Sequence, residues 1–150
     1  MTRVLAVDLG SRRIGVALSD PTGTVAAPLD TIPHRERRKD LAAVSALARA
    51  HGVERIVLGW PRNMDGTSGP AARRAEAFAV ALRRVAGVPV DLWDERLSTV
   101  AADRALRDAD VKRDRRRVLR DQIAAALILQ SYLDAGSRAT SPGPYEPPGC

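Results

Sequence analysis

The chain opens with two short apolar runs that four residues separate. Val4–Leu9 reads VLAVDL, residues 14–19 read IGVALS, and Gly-Ser-Arg-Arg stands between them. Runs of this length, rich in Val, Ile and Leu and joined by a glycine-containing turn, predict two antiparallel strands in a tight hairpin. The fold must therefore contain a sheet, and its first strand must accommodate the carboxylate of Asp8.

Turn residues and apolar periodicity organise the rest of the chain. A third strand is expected within residues 24–32, where Pro28 confines it to an edge or ends it. Apolar residues at helical spacing predict a helix over Arg37–Ala50 that Gly52 ends. The remaining predictions are strands at 55–59 and 88–93, and helices at 70–85, at 100–107 and from 114 to about 133.

This order predicts an α/β fold. We expect a mixed five-stranded sheet, made of a three-stranded antiparallel meander plus two parallel strands and flanked by helices. The 45% hydrophobic content of 150 residues is enough for one core. We therefore predict one folded domain over residues 1–135. Residues 136–150 are rich in Pro, Gly and Ser without apolar periodicity, and predict a disordered tail.

Cysteine usage and hydropathy indicate the compartment. No run approaches the roughly 20 apolar residues of a membrane-spanning helix, and no export signal is visible. The single cysteine, Cys150, can form neither an intramolecular disulfide nor a cysteine-based zinc site. The expected location is the cytoplasm, with no membrane partner.

The charge balance favours a polyanionic partner. Lys and Arg number 24 against 18 Asp and Glu, a net charge of +6, and nucleic acid is the first candidate. Arginine-rich faces exposed to solvent give the same charge balance, so the positions of the basic residues are more informative than their total number. Basic clusters lie at residues 35–39 (RERRK) and 112–120 (KRDRRRVLR), each before a predicted helix. The 3% aromatic content argues against a single-strand binder built on stacking.

Three carboxylates are candidates for chemistry. Asp8 interrupts a strand that should be central, where an uncompensated charge costs several kcal/mol; metal ligation is favoured, and an Asp that caps its own turn is the alternative. Glu95 follows the last predicted strand, at the sheet edge where α/β proteins bind ligands, and Asp94 is assigned to capping or to supporting the site. Asp121 begins a helical stripe that continues through residues 124, 125, 128 and 132. Glu95 or Asp121 alone would be an ordinary surface residue, and the convergence of all three is the prediction.

Carboxylate oxygens with open positions suit Mg²⁺ or Mn²⁺, and two such ions can hold the attacking and leaving oxygens of a phosphodiester in line. Water is then the nucleophile. His34 and His51 lie outside these motifs and are expected to be solvated loop or helix-end residues, so histidine-based acid/base hydrolysis has no support.

Four ordered motifs together resemble one family. VLAVDLGSRRIGVALSD, IVLGWPRNMDGTSGP, DERLSTVAADRAL and DQIAAALILQSYLD are similar to the YqgF family, described as Holliday junction resolvase-like and as a pre-16S rRNA nuclease, over residues 4–134. The resemblance implies a ribonuclease H-like fold, cytoplasmic processing of the 5′ end of pre-16S rRNA, and a metal-dependent acidic site at Asp8, Glu95 and Asp121. This chain departs from the family at Val118, which occupies a glycine position, and at Trp60, which replaces a smaller aliphatic residue.

Basic and polar residues near these motifs are the candidates for nucleic-acid contact. Trp60 is expected to pack, with stacking on a base as the alternative, and a structural turn explains Asn63 as well as a substrate contact does. The nucleic-acid candidates are Arg12, Arg13, Asn63, Arg96, Arg115, Arg116 and Arg117.

Other functions stay open at this point. DLGSRRIG also resembles the first phosphate loop of sugar kinases and actin-like ATPases, but those proteins use two lobes and this chain has the length of one. A nucleic-acid-binding module of the same fold with little activity is a stronger rival. Structured RNA and branched DNA both remain candidate substrates, and both a monomer and a homodimer are compatible with the sequence.

Overall fold

The computed structural model describes residues 3–97 and 113–136. In chain order the elements are strands β1 (Val4–Leu9), β2 (Arg13–Ser19) and β3 (Ala26–Pro33), helix α1 (Arg37–Ala50), strand β4 (Arg55–Trp60), helix α2 (Pro70–Ala86), strand β5 (Val90–Asp94), a 3₁₀ turn (Glu95–Leu97) and helix α3 (Arg113–Gly136). The helix predicted at 100–107 and residues 137–150 of the predicted tail lie outside the described residues.

The five strands form one mixed sheet in the order β3-β2-β1-β4-β5. The first three strands pair antiparallel, and β4 lies parallel to both β1 and β5. The predicted architecture, a meander followed by two parallel strands, is therefore confirmed. Because β1, β4 and β5 run in the same direction, their carboxyl ends meet at one edge of the sheet.

Strand β3 continues through Pro28 because it is an edge strand. Ala17 pairs with Pro28 while Val16 pairs with Asp30, so the register shifts by one residue on β3. A proline has no backbone N–H to donate to a neighbouring strand. An edge strand has a neighbour on one side only, and a bulge interrupts the pairing there, so the missing donor is tolerated. The two alternatives for Pro28 thus resolve in favour of the edge strand.

Helices cover both faces of the sheet. One core lies under α1 and α2 and contains the odd-numbered side chains of β1, Leu5 and Val7. The other lies under α3 and contains Val4 and Ala6 with members of the neighbouring strands and the helix: Ala17, Val57, Trp93, Ala125, Ile128 and Leu129. Since side chains alternate along a strand, Asp8 continues the second set and faces α3.

No helix within residues 3–97 and 113–136 is long and apolar enough to cross a membrane.

Candidate active site

Two of the predicted carboxylates meet at the carboxyl edge of the sheet. Glu95 begins the 3₁₀ turn directly after β5, and Asp8 is the penultimate residue of β1. The Glu95 carboxyl is mostly buried, and its pKa is raised to about 9 by burial first, then by a hydrogen bond with Asp8 and by the charges of Asp8 and Asp94. The two carboxyl groups therefore titrate as a pair that retains one proton more readily than isolated carboxyl groups do.

Gly59 provides the space in which Glu95 lies. A Cβ atom on Gly59 would stand 2.7 Å from Glu95 Oε1 and 2.8 Å from Cδ1 of Ile128, closer than carbon approaches either atom. On the other side of Asp8, its partner in β2 is Gly15. The sheet therefore lacks bulk on both sides of Asp8. Our sequence analysis missed Gly59 as part of the site, although a glycine inside the apolar run RIVLGW signals a close approach.

Asp94 supports the turn that carries Glu95. Its Oδ1 accepts from the backbone N–H of Arg96 at 3.0 Å, and its Oδ2 lies 2.5 Å from Nη2 of the same arginine. Burial opposes ionisation of Asp94, but the hydrogen bonds and charge of Arg96 outweigh it and the pKa is lowered. The capping role expected for Asp94 is confirmed, and the lowered pKa keeps this carboxylate ionised next to the Asp8–Glu95 pair.

The third predicted carboxylate belongs to a residue whose side chain is outside the described set. Residue 121 lies within α3, four residues before Ala125 and seven before Ile128, which are both buried against the sheet. The participation of Asp121 stays a prediction, and the described residues contain no group of three or more His, Cys, Asp or Glu that could hold a metal ion.

The predicted nucleic-acid contacts fall into three groups. Arg12 is exposed in the β1–β2 turn, beside the partly exposed Arg13 that opens β2. Arg96 pairs with Asp94 and also donates to the carbonyl oxygens of Asn63, at 3.4 Å, and Met64, at 3.1 Å. Arg96 thus links the loop after β4 to the turn after β5. Residues 115–117 lie on α3, with side chains outside the described set.

The loop after β4 is held by its own polar groups. Asn63 Nδ2 donates to Thr67 Oγ1 at 2.9 Å, and Asp65 Oδ1 accepts from the Thr67 backbone N–H at 2.9 Å. Gly66 adopts a φ of +87°, in the left-handed region. These contacts support the turn interpretation of Asn63.

Trp60 packs rather than standing free. Its side chain contributes to the core under α1 and α2, and its Nε1 donates to Glu76 at 3.0 Å. The guanidinium of Arg62 lies 4.4 Å from the ring centroid, within cation–π range. Packing, the first expectation for this residue, is what the contacts show.

His34 is an exposed residue of the loop between β3 and α1, as expected. His34 Nδ1 lies 2.5 Å from Oδ2 of Asp40, whose side chain is only 2% exposed. A carboxylate buried to that extent requires hydrogen-bond partners, and His34, in the loop before α1, supplies one. His51 caps the end of α1 and is a helix-end residue, as expected.

The meander followed by two parallel strands, covered by helices on both faces, defines a ribonuclease H-like fold. The structure is similar to Thermus thermophilus RuvC in complex with a Holliday junction substrate, with a TM-score of 0.58 at 16% identity, over 89% of this chain and 97% of that one. It is also similar to the fowlpox virus Holliday junction resolvase, with a TM-score of 0.52 at 16% identity, over 89% and 99% of the two chains. The predicted fold class is therefore confirmed.

The family follows from sequence. The profile of the RuvX family, described as Holliday junction resolvase, matches residues 2–135, and the chain belongs to this family. It is 52% identical to a protein of Moorella thermoacetica over 88% of this chain and 94% of that protein, and 50% identical to one of Myxococcus xanthus over 89% and 88%. Both relatives carry the name "Putative pre-16S rRNA nuclease". The predicted resemblance, to the same family under the name YqgF, is confirmed.

Proposed function

We propose that this protein is a metal-dependent nuclease that hydrolyses phosphodiester bonds of structured nucleic acid and processes the 5′ end of pre-16S rRNA. The names of its relatives support the nuclease class and the rRNA substrate. The observation that carries the chemistry is the Asp8–Glu95 pair at the sheet edge, where burial, a hydrogen bond with Asp8 and the charges of Asp8 and Asp94 raise the pKa of Glu95 to about 9.

The residues present fit a divalent cation. Two carboxyl groups in contact, one of them mostly buried, are destabilising as a pair of anions and accept a proton instead. A divalent cation neutralises both and accepts their oxygens as ligands, which suits hard ions such as Mg²⁺ or Mn²⁺. The missing side chain of Gly59 lets the Glu95 carboxyl lie against the sheet on the same face as Asp8.

Asp8 and Glu95 would hold the metal, with Asp121 completing the set. One or two bound divalent ions would supply Lewis-acid stabilisation of the phosphoryl oxygens and activation of the attacking water. The role of the protein's own residues is to fix the carboxylates at the sheet edge. The β1–β2 pairing holds Asp8, and the turn that Asp94 and Arg96 close holds Glu95. Glu95 would have to lose its proton to serve as a ligand, so metal occupancy would depend on pH.

Branched DNA is the second candidate substrate. The family description and the two resolvase folds favour it, and the acidic pair would cleave either polymer since the phosphodiester chemistry is shared. A binding module with little activity would use the same basic surface. A binder of an anionic polymer, however, gains nothing from two carboxyl groups in contact with each other at the sheet edge.

The deciding experiment compares cleavage of a pre-16S rRNA fragment, a four-way DNA junction and matched linear duplexes with Mg²⁺ or Mn²⁺. We expect Asp8→Asn to remain folded and to lose hydrolysis by orders of magnitude. The matched control is Asp30→Asn, which makes the same chemical change at an exposed position of β3. Full metal-dependent cleavage by folded Asp8→Asn would refute the mechanism, and preferential cleavage of the junction would reassign the substrate.

A further inference from the structure

A basic cavity lies between the first turn of α1 and the second and third turns of α2, on the side of the sheet away from α3. Its volume is about 240 Å³, and it is lined by His34, Arg37, Asp40, Arg74, Ala77 and Phe78. Because a water molecule fills roughly 30 Å³ of liquid, the cavity accommodates a group several times that size. Neither carboxylate of the candidate active site belongs to its lining.

The positive charge of this cavity exceeds its negative charge. Its single carboxylate, Asp40, already has partners: the backbone N–H of Arg35 donates to Oδ1 at 3.1 Å, and His34 Nδ1 contacts Oδ2 at 2.5 Å. Arg37, at the start of α1, makes no side-chain hydrogen bond or ion pair with another residue of the described ranges 3–97 and 113–136. Its guanidinium is therefore available to an anion.

Hydrogen bonds connect this cavity to the hairpin that carries Asp8. Arg74 Nη1 donates to the carbonyl oxygen of Gly10 at 2.8 Å, two residues after Asp8. The backbone N–H of His34 donates to the carbonyl oxygen of Arg12 at 2.9 Å. The cavity and the carboxylate pair thus lie on either side of one short turn, from which the exposed side chain of Arg12 projects.

The surface around the cavity continues the same charge. Exposed basic residues next to Arg37 occupy positions 35, 38 and 39, against one exposed acid, Glu36. Arg37 also lines a second, larger groove of about 540 Å³ together with Arg38 and Arg49. In that groove the Oγ of Ser45 is buried without a hydrogen-bond partner among the described residues. A polymer with regularly spaced negative charges matches this surface better than a single small anion does.

We propose that the cavity binds a backbone phosphate of the nucleic-acid substrate, outside the phosphodiester that is cleaved, with Arg37 and Arg74 as its ligands. Guanidinium groups bind phosphate oxygens through paired N–H donors, and Arg74 keeps its second nitrogen, Nη2, 3.5 Å from His34 Nδ1 at the cavity. This inference rests on the proposed function and specifies the path of the substrate, which crosses the β1–β2 turn and runs onto α1.

The test is the salt dependence of binding by Arg37→Gln. Binding to a four-way DNA junction and to duplex RNA is measured by fluorescence anisotropy over a salt series without divalent cations, so that cleavage plays no part. We expect the slope of log K against log salt to fall by about 0.9 on DNA, the value of one phosphate contact. In cleavage assays KM should rise while kcat is unchanged, and Arg37→Lys should restore part of the affinity. The control is Arg84→Gln, which removes an exposed charge from the last turn of α2.

An equal slope for Arg37→Gln, Arg84→Gln and the unmodified protein would overturn the inference. A thermal shift with inorganic phosphate that Arg37→Gln abolishes, together with an unchanged nucleic-acid slope, would overturn it as well, because the cavity would then bind free phosphate. If Arg37→Gln lowers the slope but the unmodified protein cleaves no substrate, the phosphate site stands and the proposed nuclease function fails.

Discussion

Trp93 Nε1 donates to Ser131 Oγ at 3.0 Å, which ties the end of β5 to α3 two residues before Glu95. The Trp93 ring also meets Tyr132 edge to face, with ring centroids 5.5 Å apart. One turn of α3 is thus held against β5, the strand that directly precedes Glu95. The position of Glu95 relative to the last helix depends on this contact.

The hydroxyl of Tyr132 completes the same attachment. It donates to Asp91 Oδ2 at 3.0 Å, and Arg55 Nη1 donates to the same oxygen at 2.6 Å. Asp91 is 4% exposed, so Tyr132→Phe leaves a buried carboxylate with fewer donors, and we expect a loss of about 1 to 3 kcal/mol in the free energy of unfolding. Urea denaturation measures it. Ser131→Ala is the comparison variant and should cost less, and an unchanged stability of Tyr132→Phe would show that the hydrogen bond contributes nothing.

Substitution of Gly59 tests the space around Glu95. The Cβ of Gly59→Ala would collide with Glu95 Oε1 and Ile128 Cδ1, so the variant should unfold at lower temperature and lose the thermal stabilisation that Mg²⁺ or Mn²⁺ gives the unmodified protein. Differential scanning fluorimetry with and without metal measures both. Gly136→Ala, at a position where nothing lies within 4 Å of the added atom, is the control and should behave like the unmodified protein. If Mg²⁺ or Mn²⁺ stabilised Gly59→Ala as much as the unmodified protein, Gly59 would not be part of the metal site.

The stability of the metal-free protein should fall as pH rises. The pKa of Glu95 is raised in the fold from 4.5 to about 9, so the folded state binds more protons than the unfolded state between these values. The stabilisation is fully present below the unfolded pKa and is lost as pH rises through the folded pKa. Melting temperatures in EDTA across this range should decline for the unmodified protein and decline less for Glu95→Gln. Parallel profiles would contradict the shared proton.

The turn between β2 and β3 should show the opposite pH dependence. Asp20 Oδ1 accepts from the backbone N–H groups of Thr24 at 2.8 Å and Val25 at 2.9 Å. Its pKa is lowered to about 2, first by the hydroxyl of Thr22 and then by these backbone donors. The stabilisation is present above the unfolded pKa of 3.8 and disappears as pH falls towards 2. Asp20→Asn should therefore melt below the unmodified protein at neutral pH, and the difference should vanish in strong acid.

Local patterns predicted most of the fold. The α1 bounds coincide with the helical periodicity of Arg37–Ala50, and the meander follows from two glycine-containing turns between apolar runs. Strand β5 was placed two residues early, because Val88 and Pro89 look apolar and extended in sequence, although pairing with β4 begins at Val90. The ends of a strand depend on where its partner strand pairs with it, and a local sequence pattern does not contain that partner.

The site was harder to predict because its partners are distant in sequence. Asp8 stood out as a charge inside an apolar strand, whereas the contact of Glu95 with Asp8 and with Gly59 appears only when three parallel strands are side by side. The same applies to His34, whose interaction with Asp40 depends on how α1 starts. Contacts between neighbouring strands, and between a loop and the start of a helix, depend on the tertiary structure and are not visible in a local sequence pattern.

The packing of α3 on β1 has a consequence for synthesis on the ribosome. The face of the sheet that holds Val4 and Ala6, from β1, is covered by Ala125, Ile128 and Leu129, from α3. Until α3 has left the exit tunnel, the nascent chain presents an open apolar sheet face. The core under α3 therefore closes only after α3 has been translated, long after the strands that it covers.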